Sequence, residues 1–171
     1  MNSSQDVTSF FQRDTFTSST SRSLIAGAVG GLAGTAVKSL FEKFLKVRKV
    51  EQRSAQIKIL DDLSTKITGS PISVHNEALA EQLVNFPVGI SIGAAYGYGK
   101  KKKDKLNFRD GVILGSSTWA STHETSLPLM GLKESPKDIP IGLQMNELFA
   151  YAMFGVTTEL VRDYVNRRLK E

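Results

Sequence analysis

The stretch LIAGAVGGLAGTAV, Leu24–Val37, decides the fold. It is apolar and built on glycine, and it runs on through Lys38 and Glu42 to Leu45. Three further stretches share its character: Leu83–Gly99, Gly111–Met130 and Ile141–Val161. Every glycine except Gly69 and Gly131 falls in one of the four. A glycine inside a water-soluble helix costs about 0.5–1 kcal/mol relative to alanine, so a soluble bundle has reason to avoid them. In lipid, small residues four apart let backbones approach, and packing drives helix association. The chain repeats that spacing at Gly27/Gly31, Gly30/Gly34, Gly89/Gly93/Gly97 and Gly111/Gly115. The expectation is an all-α protein: a compact four-helix transmembrane bundle with glycine-zipper packing.

The average composition pulls the other way. Hydrophobic residues make up 40% of the chain and the mean hydropathy is −0.16, low for a membrane protein. Two segments dilute it. Residues 1–23 are rich in Ser, Thr and Gln with no usable apolar period, which predicts a disordered tail. Residues 46–78 form a charged linker, and Val47, Val50, Ile57, Leu60 and Leu63 within it recur at helical spacing. That pattern predicts an amphipathic helix over 46–68, stopped by Gly69 and Pro71, which lies on the membrane surface or caps the bundle. The bundle domain is thus expected over 24–168.

The net charge of +5 admits nucleic acid, anionic lipid or the basic flanks of membrane helices. No nucleic-acid motif accompanies it, and Lys100–Lys103 directly follows an apolar run, so a bilayer with anionic headgroups is the expected partner. The chain has no cysteine, which excludes disulfides and thiol catalysis. No basic segment leads into an apolar run and cleavage site at the start, so no removable signal peptide is expected. Lysine and arginine slightly favour the side holding both termini and the second linker, which predicts cytoplasmic termini. The basic first linker weighs against that orientation.

Alternation of antiparallel helices brings the ionisable residues together whatever the orientation. Lys38 and Glu42 lie late in the first helix, Asn85 early in the second, His123 late in the third and Glu147 early in the fourth. All fall in one half of the bilayer. A charge at mid-bilayer costs roughly 2.5–3.5 kcal/mol on the insertion scale, and pairing reduces it. A polar intramembrane cluster of Lys38, Glu42, His123 and Glu147 is therefore expected, with Lys38 facing Glu42, Glu147 or both. It reads in two ways: as an ion-paired knot that fixes helix register, or as a half-membrane vestibule where His123 and Glu147 exchange protons or coordinate a cation. Glu124 is expected at an interface, and Glu159 beside Arg162 or Arg168. Packing falls to Gly27, Gly31, Gly34, Gly89, Gly93, Gly97, Gly111 and Gly115.

Lys38, Glu42 and Arg48 together resemble the lysine–glutamate–arginine signature that closes the first helix of the YagU family of small bacterial inner-membrane proteins. His123 with Pro128-Leu129-Met130-Gly131-Leu132 is similar to that family's third-helix histidine and exit. Glu147, Glu159, Arg162 and Asp163 resemble its last helix, without the histidine expected near Tyr151. The resemblance implies fold and a multi-pass place in the bacterial inner membrane, but no activity.

No phosphate loop, dinucleotide fingerprint, zinc-protease or serine-hydrolase motif occurs, so no enzyme activity, cofactor or metal is expected. Gly93–Gly99 reads as a helix end rather than a phosphate loop. The reading is a membrane protein that acts through helix packing, homo-oligomerisation or partner interaction. The alternative is proton or small-cation transport through the polar cluster. A soluble helical protein with glycines as core contacts is the third possibility.

Overall fold

The computed structural model describes residues 4–45, 47, 53–100, 105–131 and 134–170, and the side chains among them except those of 4–18, 124 and 136. Arg48, Val50, Lys101–Lys103 and Leu132 lie outside the described residues, as does the side chain of Glu124. The chain is all-α, with no strand among the described residues. Its elements are α1 (Ser4–Phe44), α2 (Ala55–Thr68), a 3₁₀ turn (Val74–Asn76), α3 (Glu77–Lys100), α4 (Phe108–Ser121), a π-helical turn (Thr122–Ser126), the one-turn α5 (Leu127–Leu129), a second 3₁₀ turn (Pro136–Asp138) and α6 (Ile141–Arg168).

Local chemistry sets the boundaries. Ser54 caps α2 by accepting from the Ile57 amide at 3.3 Å, and Gly69 ends it in the left-handed region at φ 77°. Asn107 caps α4 by accepting from the Arg109 amide. Several boundaries differ from the sequence reading: the amphipathic helix expected over 46–68 starts only at Ala55, α4 starts at Phe108 and α6 runs on to Arg168. The tail expected over 1–23 is instead helical from Ser4, and Ser23 is already buried with its carbonyl against Gly97. No glycine or proline precedes Gly27, so nothing in that segment stops a helix from propagating backwards out of the apolar stretch. The second helix begins at Glu77, and Pro87 lies inside it. Proline removes one ladder bond, but the helix resumes beyond it.

The long helices pack in the order α3–α1–α6–α4. Each contact is antiparallel and each is made through glycine. A methyl group on Gly27 would strike the Gly93 carbonyl, and one on Gly31 would strike that of Gly89. The neighbouring row on α1 offers Gly30 and Gly34 to Thr158 and Phe154 of α6. On an adjacent row of α6, Gly155 meets Gly111, and Gly115 meets the Tyr151 carbonyl. Gly155 belongs in the packing set and was not anticipated. Gly99 and Gly142 have open space where a side chain would go.

Polarity is distributed inside out. Among the described residues, buried apolar side chains are few: Ala26, Ile57, Ala80, Ala150, Tyr151 and Phe154. Lys38, Glu147, Glu159 and Arg162 are buried with them, while Leu24, Ile25, Leu83, Ile113, Ile141 and Phe149 face outward. Among the described residues, Ser19–Phe44 of α1 is the one helical segment long and apolar enough to cross a membrane by length and composition. The other helices fall short of that measure for visible reasons. α6 carries Glu147, Glu159, Arg162 and Asp163 along its length, α3 opens with Glu77, Glu81 and Asn85, and α4 ends at Ser121.

Candidate functional site

The site forms at the end of the bundle where α1 finishes, α3 starts, α4 finishes and α6 starts. Hydroxyls prepare it on α4. Thr118 donates to the Leu114 carbonyl at 2.7 Å and Thr122 to that of Thr118 at 2.7 Å. At Thr122 the helix widens into the π turn, where Thr125 and Ser126 donate to carbonyls five residues back, those of Ala120 and Ser121. His123 sits in that turn and reaches across to α6.

There it meets two residues on one helical face, Glu147 and Tyr151. His123 Nδ1 lies 2.8 Å from Glu147 Oε1, and its Nε2 lies 2.8 Å from the Tyr151 hydroxyl. With Nδ1 carrying the proton toward the carboxylate, Nε2 accepts from Tyr151. The second carboxylate oxygen of Glu147 accepts from Trp119 Nε1 at 3.2 Å. Lys38 completes the group from α1. Its ammonium pairs with Glu42 at 2.8 Å and lies 4.6 Å from the centre of the Tyr151 ring.

All four expected residues, Lys38, Glu42, His123 and Glu147, thus come together, in a more specific arrangement than the sequence implied. Lys38 pairs with Glu42, Glu147 pairs with His123, and Tyr151 stands between the two pairs. Tyr151 and Trp119 were missed. Their signal was present, since Tyr151 follows Glu147 by one helical turn and Trp119 precedes His123 by one.

Two cavities flank this group. A vestibule is lined by Glu42, Arg53, Glu81, Asn85, His123 and Glu147, and roofed by Ser54, Ala55 and Gln56 at the start of α2. A second cavity lies against Lys38, Asn85, Val88, Ile92, Thr118 and Tyr151. Asn85 lines both, and accepts from Gln56 Nε2 at 3.1 Å. Arg53 at the mouth bonds Asp61 and, at 2.6 Å, Glu77. Desolvation lowers its pKa, but the two carboxylates outweigh that, so its charge is held beyond the ordinary arginine range.

A second ionic group occupies the opposite end. Glu159 receives Arg162 Nε at 2.7 Å and Nη2 at 3.0 Å, the Tyr96 hydroxyl at 3.0 Å and the Asn107 amide at 3.1 Å. Lys100 stands 3.5 Å away and bonds Asp110. Arg162 is therefore the partner of Glu159, while Arg168 lies over the Tyr164 ring. Among the described residues no group of three or more His, Asp or Glu is arranged to hold a metal ion.

The model of the family described as "Protein of unknown function (DUF1440)" matches residues 32–160, a span that contains Lys38, Glu42, His123, Glu147 and Tyr151 and begins just after Gly31. No curated protein and no solved structure matches the chain. The chain belongs to the DUF1440 family.

Proposed function

We propose that this DUF1440 protein is a multi-pass integral membrane protein in which α1, α3, α4 with its π turn, and α6 all cross the bilayer. The observation that carries the reading is the inside-out distribution. Lys38 and Glu147 are each 6% exposed while Phe44 is 77% exposed and Leu83 67%. In water that arrangement desolvates charges and wets large apolar side chains at the same time; in lipid both placements are favourable. Three glycine interfaces support it, because close backbone approach replaces hydrophobic exclusion as the source of affinity between membrane helices. The likeness to the YagU family supports a place in the bacterial inner membrane, and the basic residues support cytoplasmic termini and contact with anionic headgroups. On this reading the protein acts through packing and partner contact, as a homo-oligomer or with another membrane protein, and is not an enzyme.

A second reading has its own observation. The hydrogen bond from Tyr151 to His123 stands between two cavities, with Glu147 on the vestibule side and Lys38 on the other. A proton or small cation reaching Glu147 would find a histidine and a phenol in line beyond it.

The tests are sequential. The protein should stay with membranes through alkaline carbonate and leave them only with detergent; release by carbonate alone defeats the membrane reading. Proton flux into vesicles is then measured for the wild type and Glu147→Gln. Equal background flux supports action by packing, and flux abolished by the substitution supports transport.

A further inference from the structure

α2 joins the end of α1 to the start of α3, and those helices are antiparallel neighbours, with Gly27 against Gly97 and Gly31 against Gly89. A helix linking their ends lies at that end of the bundle. At 100° per residue, Ile57, Ile59, Leu60, Leu63 and Ile67 fall on one arc of α2, and Lys58, Asp61, Asp62, Thr65 and Lys66 on the other. The chain covers only one edge of the apolar arc. Ile57 is 2% exposed against the bundle, whereas Ile59, Leu63 and Ile67 are 41%, 52% and 73% exposed. These three are spaced four apart, so they form one uncovered row.

The surroundings say what covers that row. Phe44 closes α1, Val74 precedes α3, Leu129 ends α5 and Ile141 opens α6, and all four project outward at the same end. If the bundle spans a bilayer, this end lies at headgroup depth. An amphipathic helix there buries its apolar face at the acyl boundary and leaves its charges among the headgroups. Lys66 lies on the helix beside the row, where a long cationic side chain reaches the phosphates.

We propose that Ile59, Leu63 and Ile67, continued by Val74, are a docking surface for the lipid interface, and that this contact holds Ser54–Gln56 in place as the roof of the vestibule. The proposal rests on the membrane-spanning reading. It assigns α2 both of the roles open to it: the Ile57 edge caps the bundle, and the opposite edge enters the membrane surface.

The chain has no cysteine, so single-cysteine variants can carry a nitroxide label in the full-length protein. Labels are placed at Leu63→Cys, Ile67→Cys, Asp62→Cys on the polar arc, and Leu32→Cys on the outward face of α1. The protein is reconstituted in vesicles of phosphatidylcholine and phosphatidylglycerol. Collisions with oxygen, which partitions into lipid, are compared with those of a water-soluble nickel chelate. The oxygen-to-nickel ratio at 63 and 67 should exceed that at 62 several-fold and approach that at 32. Ratios at 63 and 67 equal to that at 62, with 32 in lipid, overturn the docking surface alone. A water-like ratio at 32 overturns the spanning reading together with it. Spin–spin broadening between labels at 63 overturns lipid as the occupant in favour of a second copy.

Discussion

The two ends of the bundle bury similar chemistry to different effect. At one end Glu159 is enclosed completely and each of its oxygens is taken, by Arg162, Tyr96 and the Asn107 amide. That group borders neither of the two cavities described. At the other end Glu147, His123 and Tyr151 are buried too, but stand against open space on two sides. A buried ion pair is a weak source of stability and a strong constraint, because stranding one partner is far costlier than removing both. The saturated Glu159 group therefore reads as a clamp that fixes the register of α3, α4 and α6, and the end with space beside it as the place where something binds or moves.

The largest expected effect tests the clamp. Glu159→Gln leaves Arg162 buried without its carboxylate and should lower stability by about 3–5 kcal/mol in detergent-solubilised melting. Adding Arg162→Met should restore part of that loss, since no lone charge remains. Additive losses in the cycle would mean that the two groups do not act as a pair.

The next effect lies between the ends. At Gly93 an added side chain meets the Gly27 carbonyl and the Gly31 backbone, which have no rotamer to yield. Gly93→Leu should cost about 3 kcal/mol or more, at or beyond the usual cost of overpacking. Gly99→Leu, facing open space on the same helix, should move the melting point little. Similar melting points for the two variants would remove the glycine contacts as the basis of the α1–α3 interface.

Smaller still is the coupling inside the vestibule group. Lys38→Met and Glu42→Gln remove the two halves of a direct pair and should be coupled by roughly 0.5–3 kcal/mol. Lys38→Met and Glu147→Gln should be coupled less, because Tyr151 and His123 intervene. A stronger coupling to Glu147 than to Glu42 would reverse the assignment of partners.

The sequence made much of this legible, for a physical reason. Glycine four apart and charges inside apolar stretches each have one economical solution, burial at a helix contact, so Gly27, Gly31, Gly93, Lys38 and Glu147 could be placed from the chain alone. Alternation of helices then put Lys38, Glu42, His123 and Glu147 at one end without coordinates. The order α3–α1–α6–α4 was not legible, because two rows of glycine on α1 say that it has two neighbours but not which. Tyr151 escaped because an aromatic residue in an apolar helix looks like core packing until its hydroxyl has a partner. The helix from Ser4 escaped because Ser and Thr lower propensity without forbidding the conformation, whereas a proline or glycine would have marked a stop.

The last comparison removes one hydroxyl at each end. Tyr96 and Tyr151 both sit on long helices with their rings packed and their hydroxyls bonded, at 3.0 Å to Glu159 and at 2.8 Å to His123. Phenylalanine keeps each ring and deletes one oxygen. At the clamp, Tyr96→Phe takes a donor from an enclosed carboxylate that borders neither of the two cavities described, and a hydrogen bond to a charged group is worth about 1.5–3 kcal/mol. Beside the vestibule, Tyr151→Phe deletes the partner of a histidine nitrogen that borders a polar cavity, where water can take the place of the phenol; the expected cost is about 0.5–1.5 kcal/mol. Melting of the two variants in one detergent should therefore rank Tyr96→Phe as the more damaging. The reverse order would mean that the vestibule end, not the opposite one, is the structural clamp, and would leave the His123–Tyr151 bond as a device for holding helices rather than a step between two cavities.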